Sequence, residues 1–228
     1  MKSALADLYR AHVAERQRTT ERALAETGFD RLLIHSGVPH TYFADDQDAP
    51  FHPTPHFAHW APVEGPGHVL EVRPGKAPRL VRYEPRDYWY APPQPAPDFV
   101  AAAMEIVEVE TPEAARAAIA KDGGRTAFVG GSTGEAAAYG VPAEAVNPKG
   151  LVARLDWERS YKSAYEVETL AEATVPAARG FRAAEEAFRD GATEMEVHHA
   201  YLAAAGVMEE KLPYPTIIGF DERSATLH

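Results

Sequence analysis

Histidines are concentrated in one short part of the sequence. Six of the ten lie between positions 35 and 68, namely His35, His40, His52, His56, His59 and His68. The spacing His52-x-x-x-His56-x-x-His59 is one that metal-binding imidazoles can use. Because Pro53 and Pro55 interrupt this segment, we expect no regular helix to place the rings on one face. The sequence therefore favours a solvated or interface loop over adventitious binding of nickel or zinc.

Three aspartates, Asp45, Asp46 and Asp48, form a second group of side chains that could do chemistry. Asp-rich segments are typical of solvated turns, in which a carboxylate accepts a hydrogen bond from the nearby backbone. These aspartates belong to the stretch FADDQDAPFHPTPHFAHW, which we expect to be a long irregular loop. Loops of that length in compact domains are usually functional or disordered.

Two further segments have local patterns that could suggest binding. GGSTG at 130–134 follows an apolar run, but it lacks the lysine and the spacing of a phosphate-binding loop, so it predicts a tight turn. The segment YEPRDYWYAPPQPAP places four aromatic residues near prolines: Tyr83, Tyr88, Trp89 and Tyr90. Exposed aromatic clusters often mark interfaces, so this segment predicts packing against a neighbouring domain or subunit.

Charge and composition exclude several classes of function. The net charge of −11 and the pI near 5.4 argue against nucleic acid or an anionic membrane surface as the main partner. The chain contains no cysteine, which excludes thiolate chemistry, disulfides and cysteine-based zinc sites. No apolar run approaches the roughly 20 residues of a membrane span, and the charged N-terminus lacks the core of a signal peptide. We expect a cytoplasmic protein.

The first half of the sequence predicts an α/β layout with a mixed sheet. Helical spacing of apolar residues predicts a long helix over residues 4–27, with Gly28 just past its end. RLLIHSG predicts a buried strand, and HVLEV (68–72) and RLVRY (79–83) predict a hairpin around RPGKAP. TPEAARAAIAKDGG predicts a helix capped by Thr111, and TAFVGG predicts a fourth strand.

The second half predicts a smaller unit built from two helices and a hairpin. The Pro/Gly-rich stretch GVPAEAVNPKG predicts a boundary between Val146 and Arg159. Two capping-box patterns, Ser163 to Glu166 and Thr193 to Glu196, predict the helix starts. The last residues, PYPTIIGFDERSATLH, predict a strand, a turn and the beginning of a second strand. So few elements cannot bury their own apolar faces, which predicts that this unit is incomplete.

Several motifs in order carry a resemblance to a known family. RLDWERSYKSAYEVETLAEA, GFRAAEEAFRDGATEMEVHHAYL and PYPTIIGFDERSATLH are similar to segments of bacterial Xaa-Pro dipeptidases, or prolidases. These enzymes belong to the creatinase/aminopeptidase P group of "pita-bread" metallohydrolases. In the first half, LLIHSG, FADDQDAPFHPTPHFAHWAPV, PRLVRYEPRDYWY and NPKG resemble the creatinase-like domain of the same enzymes. The resemblance covers essentially the whole chain.

The resemblance implies a particular fold and a particular reaction. It implies a creatinase-like domain with a mixed sheet and flanking helices over residues 1–155. The truncated start of an α+β pita-bread domain then follows over residues 156–228. The parent enzyme would hydrolyse dipeptides with a C-terminal proline, with organophosphate hydrolysis as a side activity, and would be a homodimer. It would use two divalent metal ions, manganese foremost, whose ligands lie beyond residue 228. We therefore expect this chain alone to bind no metal and to be inactive.

The resemblance also assigns roles to four residues. His228 matches a catalytic histidine beside the metal pair, while Tyr214 and Leu227 match residues that line the substrate pocket. Asp46 matches an aspartate that reaches from one subunit into the active site of the partner. Each residue also has a simpler interpretation. His228 would be a terminal histidine and Tyr214 an aromatic residue in a turn. Leu227 would be an apolar core residue and Asp46 a solvated carboxylate in a turn. The alternative at the level of the protein is a naturally short, non-catalytic chain that acts as a dimerisation or binding module.

Overall fold

The computed structural model describes residues 2–88, 94–119, 124–131 and 133–225. The chain divides into two compact units, Met1–Tyr165 and Glu166–His228. Among the described residues, every helix is too short or too polar to cross a lipid bilayer.

A five-stranded mixed sheet forms the centre of the first unit, in the order β4-β3-β2-β1-β5. The β1–β2 and β2–β3 pairs are antiparallel, whereas β1–β5 and β3–β4 are parallel. This arrangement confirms the predicted α/β class and the predicted hairpin. The strands are β1 Arg31–His35, β2 Val69–Val72, β3 Arg79–Tyr83, β4 Glu105–Val109 and β5 Thr126–Val129.

Strand β4 is the element of the sheet that the sequence analysis missed. Its sequence EIVEV is only partly buried, because β4 forms the outer edge of the sheet and pairs with β3 alone. An edge strand with solvated glutamates lacks the continuous apolar run by which the central strands can be recognised. The predicted fourth strand, TAFVGG, is therefore the fifth along the chain.

Helices cover both faces of the sheet and enclose two separate cores. On one face, α1, α2, α3 and α6 pack over Leu32, Ile34, Leu70 and Leu80. On the other face, α4 and α5 pack over the strand residues that alternate with those of the first core, because successive side chains of a strand point to opposite faces of the sheet. The helices are α1 Lys2–Thr27, α2 Pro55–Trp60, α3 Asp98–Ala101, α4 Pro112–Ala118, α5 Thr133–Ala138 and α6 Lys149–Ser160.

The predicted signals for helix ends are confirmed in the first unit. Gly28 has φ of +72° directly after α1, in the left-handed region that a glycine adopts without strain. Thr111 accepts a hydrogen bond from the amide of Ala114, and Pro112 opens α4. These capping residues fix where α1 ends and where α4 begins.

Helix α6 belongs to the first unit because it packs along α1. Leu151 and Leu155 are buried in the same core as the apolar face of α1. Ion pairs between Arg154 and Glu26 (2.5 Å) and between Arg22 and Glu158 (3.1 Å) flank the contact. The first unit therefore extends to Tyr165, and the division into folding domains at 155/156 stays a prediction.

The second unit consists mainly of two helices. These are α7 Ala164–Arg189, whose first two residues belong to the first unit, and α8 Glu194–Ala205. The predicted capping box is confirmed at α8, where Thr193 and Glu196 exchange side-chain and backbone hydrogen bonds. Gly206, with φ of +71°, ends this helix.

The predicted strand at Thr216–Ile218 is wrong. The described residues after α8 form two short 3-10 turns, Glu209–Lys211 and Asp221–Arg223, with irregular chain between them. A strand is stable only when its backbone groups pair with another strand, and the described part of this unit supplies none. The second predicted strand runs into residues 226–228, which lie outside the described part of the chain.

Phe128 on β5 provides a test of the second core. Its ring is fully buried and lies at a tilt against the rings of His35 and Tyr139. We expect Phe128→Ala to lower the free energy of unfolding by about 3–5 kcal/mol, because it removes a large buried side chain and leaves a cavity. Chemical denaturation followed by circular dichroism measures the change. Phe43→Ala is the matched control, because Phe43 is fully exposed, and it should change stability by no more than about 0.5 kcal/mol. Similar losses in both variants would contradict the assigned core.

Candidate functional site

Two of the four predicted site residues, Leu227 and His228, lie outside the described residues. Tyr214 belongs to the second unit, where 70% of its side chain is exposed. Asp46 belongs to the first unit and is also exposed. The structure therefore describes the surroundings of Asp46 and of Tyr214, each within its own unit. The roles assigned to all four residues stay predictions.

Asp46 lies on a compact hairpin-like loop between residues 40 and 49. Thr41 and Asp48 form an antiparallel bridge, and the amide of Ala49 donates to the carbonyl of His40 at 2.8 Å. Inside this bridge, the amide of Tyr42 donates to the carbonyl of Gln47 at 3.0 Å. Most of this segment consists of turns and bends, as predicted for an irregular loop, and one isolated bridge gives it a defined shape.

The three aspartates of the loop have different environments. Asp45 Oδ1 accepts from the amide of Gln47 at 3.1 Å, and Asp48 Oδ1 accepts from the Thr41 hydroxyl at 2.6 Å. Both carboxylates therefore hold the turn together, as the sequence analysis expects of an Asp-rich segment. Asp46 makes no hydrogen bond or ion pair with the described residues. Of the three, Asp46 has the carboxylate that is available to an external cation.

The tip of the loop also exposes a large aromatic side chain. Phe43 is fully exposed, and the adjacent Ala44 has φ of 58°, in the left-handed region that L side chains rarely adopt. Phe43 and Asp46 therefore both expose their side chains on this loop. No comparable signal is visible in the sequence, because exposure of Phe43 depends on the turn.

The histidine-rich segment forms a short helix, which corrects the sequence analysis. Pro55 does not prevent α2 but occupies its first turn, where a missing amide proton costs nothing. His56 and His59 lie one turn apart on this helix and line the same small cavity. His56 Nε2 is 3.3 Å from Asp156 Oδ1 of α6. These rings are half-buried structural groups, whereas His52 is exposed.

Two fully buried histidines, His35 and His68, are polar groups that the sequence analysis did not single out individually. His68 Nε2 donates to the carbonyl of Glu64 at 2.8 Å, while Nδ1 accepts from the amide of Tyr83 at 3.0 Å. This pairing fixes a neutral imidazole. His35 Nδ1 accepts from the amide of Gly37 at 3.0 Å and lies 3.6 Å from Glu135 Oε2.

Burial lowers the pKa of both histidines. It lowers the pKa of His35 from 6.5 to about 4. Burial is also the main cause that lowers the pKa of His68, and the nearby charge of Arg82 acts in the same direction. The hydrogen bond to Glu64 opposes the shift without cancelling it. Both rings therefore remain neutral at the pH at which an exposed histidine begins to gain a proton.

This difference predicts that acid destabilises the first unit. Between pH 6.5 and about 4, the unfolded chain binds a proton at His35 that the folded chain does not, so stability falls as pH falls. The loss from His35 is expected to reach about 3 kcal/mol at the lower end, at about 1.4 kcal/mol per pH unit. Urea denaturation across this pH range measures it.

His35→Asn is expected to flatten that pH dependence, since its amide oxygen can still accept from Gly37 while the ionisable group is removed. His52→Asn is the matched control at an exposed site and should leave the slope unchanged. An unchanged slope in His35→Asn would contradict the assignment of the acid sensitivity to this ring.

Two other predicted segments are only partly within the described residues. The turn after β5 is held by Asn147, whose side chain accepts from the amide of Gly130 at 3.1 Å and donates to its carbonyl at 2.9 Å. Ser132 of this segment is not described. In the aromatic segment Tyr88 is exposed, but Trp89 and Tyr90 lie outside the described residues, so the predicted interface stays a prediction.

The described residues do not fit a two-metal centre within either unit. Two bridged divalent ions need several carboxylates and imidazoles on one rigid frame. No three His, Asp or Glu side chains belonging to the same unit converge in the described part of the chain. Over the described residues, neither unit therefore offers the ligands of such a centre.

Comparison with protein families identifies the first unit. Residues 7–157 match the family model described as "Xaa-Pro dipeptidase, N-terminal domain". The chain is 35% identical over 225 residues to a Xaa-Pro dipeptidase of Pseudoalteromonas atlantica, covering 98% of this chain and 50% of that protein. It is 37% identical over 227 residues to a Xaa-Pro dipeptidase of Escherichia coli, covering 99% of this chain and 51% of that protein. The chain thus spans about half the length of the curated relatives it matches.

Solved structures of related enzymes share the fold. The prolidase from Pyrococcus horikoshii aligns over 84% of this chain and 48% of its own, with a TM-score of 0.53 and 12% identity. A single-substitution variant of Escherichia coli aminopeptidase P aligns over 86% of this chain and 49% of its own, with a TM-score of 0.54 and 15% identity. The family model covers most of the first unit, so the chain belongs to the family of Xaa-Pro dipeptidase N-terminal domains.

Proposed function

We propose that this chain forms the N-terminal half of a metal-dependent Xaa-Pro dipeptidase, which hydrolyses dipeptides that end in proline. The observation that carries the proposal is the alignment of nearly the whole chain with about half of each curated Xaa-Pro dipeptidase. In the parent protein, two divalent metal ions, manganese foremost, would activate the attacking water and polarise the scissile carbonyl. Their ligands would come from the other half.

The second unit supports this proposal through its exposed apolar surface. Large apolar side chains of α7 are more than half exposed: Val167, Leu170, Val175, Phe181 and Phe188. A soluble domain rarely exposes that many apolar side chains on one helix unless another element packs against them. The remaining part of a pita-bread domain, including its sheet, would supply such an element.

We assign to Asp46 the recognition of the free α-amino group of the substrate. A dipeptidase must distinguish this ammonium from the amide of a longer peptide, and a carboxylate is its natural partner. Asp46 is the carboxylate of its loop that is not already bound to the chain. In a homodimer, which is part of the proposal, the protruding loop would deliver Asp46 to the active site of the partner subunit. His228, Tyr214 and Leu227 would line the site in the roles that the resemblance assigns.

A proline-release assay tests the proposed function. The polypeptide encoded by the complete reading frame that contains this sequence should release proline from Ala-Pro in the presence of Mn²⁺. The 228-residue chain, assayed beside it at the same concentration, should release none above the blank. A complete polypeptide without this activity, or an isolated chain with it, would contradict the proposal.

A further inference from the structure

Strand β4 leaves one side of its backbone without a partner strand. In the sheet order β4-β3-β2-β1-β5, β4 lies at the end, and among the described residues it pairs only with β3. Its sequence, EIVEV, is rich in β-branched residues and contains neither the proline nor the lysine that commonly prevents an edge strand from pairing. This edge is therefore available to a further strand.

The hydrogen bonds toward β3 show which backbone groups of β4 point away from the sheet. The amide of Glu105 and the carbonyl of Val109 bond to the chain at the two ends of β3, at 2.9 and 2.7 Å. Because alternate residues of a strand direct both backbone groups to the same neighbour, Glu105, Val107 and Val109 face β3. The N–H and C=O groups of Ile106 and Glu108 therefore point outward, and over the described residues they have no hydrogen-bond partner.

Pairing of two β4 strands about a two-fold axis at Val107 satisfies these outward groups. In this antiparallel register Ile106 lies opposite Glu108 of the second copy, and each such pair exchanges two hydrogen bonds. An axis at Glu108 would instead place two carboxylates opposite each other. An axis at Ile106 would leave Glu108 opposite Met104, which lies outside the strand. The axis at Val107 is therefore the register that the strand favours.

The charges of β4 are compatible with this register. Glu105 lies 3.1 Å from Arg79 and Glu108 lies 2.7 Å from Arg82, so each glutamate is paired with an arginine of β3 in its own copy. Across the axis, each glutamate lies opposite an aliphatic residue of the second copy. Directly opposed like charges would destabilise a strand pair, and this register has none.

We propose that β4 is an interface between two copies of this chain, in which the two five-stranded sheets join into one continuous sheet. The partner is a second copy because the register is self-complementary: it uses the outward backbone groups of both strands and opposes no like charges. The loop at 40–49 remains free, since it follows β1, which two strands separate from β4. The inference does not depend on the proposed activity and is tested separately from it.

Disulfide formation across the axis tests the register, because the chain has no cysteine of its own. In a Val107→Cys variant the two cysteines form a non-hydrogen-bonded pair with Cα atoms about 4.5 Å apart, which a disulfide can span. Mild oxidation should convert this variant to a covalent dimer. Glu105→Cys is the matched control and should not cross-link, since its two cysteines lie more than about 13 Å apart. No cross-link at position 107, or equal cross-linking in both variants, would overturn the proposal.

Substitution of an outward amide tests the edge itself. In sedimentation experiments the mass of the 228-residue chain should rise with concentration from 24.9 kDa toward twice that value. Glu108→Pro removes an outward amide but no bond to β3, and it should weaken dimerisation at least about 10-fold. Glu108→Ala is the control, because it also removes the carboxylate but keeps the amide, and it should dimerise as the wild type does. A chain that is monomeric at every concentration, or equal dimerisation in the two variants, would overturn the proposal.

Discussion

Replacing Glu71 with alanine is expected to lower the free energy of unfolding by about 3–5 kcal/mol, because the change leaves buried positive charge without its partner. Glu71 lies on β2 and is almost completely buried. Its carboxylate is 3.3 Å from Arg31, 3.7 Å from Arg73 and 3.6 Å from Arg79. Chemical denaturation of the 228-residue chain measures the loss.

Glu105→Ala is the control for this prediction. Glu105 pairs with Arg79 at 3.1 Å, but half of its side chain is exposed, so solvent already screens the interaction. Its removal should cost no more than about 1 kcal/mol. If the two variants lose the same stability, the burial of the Glu71 carboxylate beside three arginines does not account for its contribution.

Asp46→Ala is expected to raise KM for Xaa-Pro dipeptides strongly in the parent enzyme, with its metal content unchanged. Truncating a carboxylate that pairs with a charged group in a dry site costs about 2–5 kcal/mol, which corresponds to a loss in kcat/KM of more than 10-fold. Steady-state kinetics on Ala-Pro and metal analysis of the same preparation check both parts.

Asp45→Asn provides a matched control, because it removes a neighbouring charge but keeps the oxygen that accepts from Gln47. It should affect KM much less than Asp46→Ala. Sensitivity at Asp45 instead of Asp46, or wild-type kinetics in both variants, would show that the substrate-facing carboxylate is wrongly assigned.

The sequence predicted the elements whose signals are local. The hairpin of β2 and β3, the caps at Thr111 and Thr193 and the glycine after α1 all depend on residues within one turn of each other. Strand β4 was missed because its stability comes from pairing with β3, not from its own apolar pattern. The strand expected at Thr216–Ile218 has a suitable local pattern but does not form, because the described residues offer it no partner strand.

The candidate site could be predicted only in part, for a similar reason. Asp-rich composition indicated a turn and the family resemblance singled out Asp46, but only the folded loop shows that the carboxylates of Asp45 and Asp48 are already bound. Proline spacing suggested that the histidine-rich segment would be irregular, although Pro55 in fact begins α2.

The central claim is that this chain contributes Asp46 to a Xaa-Pro dipeptidase as the group that recognises the substrate ammonium. The most direct measurement compares kcat/KM for Ala-Pro with that for propionyl-proline, which lacks the α-amino group, in the wild-type parent enzyme and in Asp46→Ala. We predict that the wild type strongly prefers Ala-Pro and that Asp46→Ala loses this preference while its activity on propionyl-proline is unchanged. A wild type that does not hydrolyse Ala-Pro, or a preference that survives in Asp46→Ala, would contradict the claim.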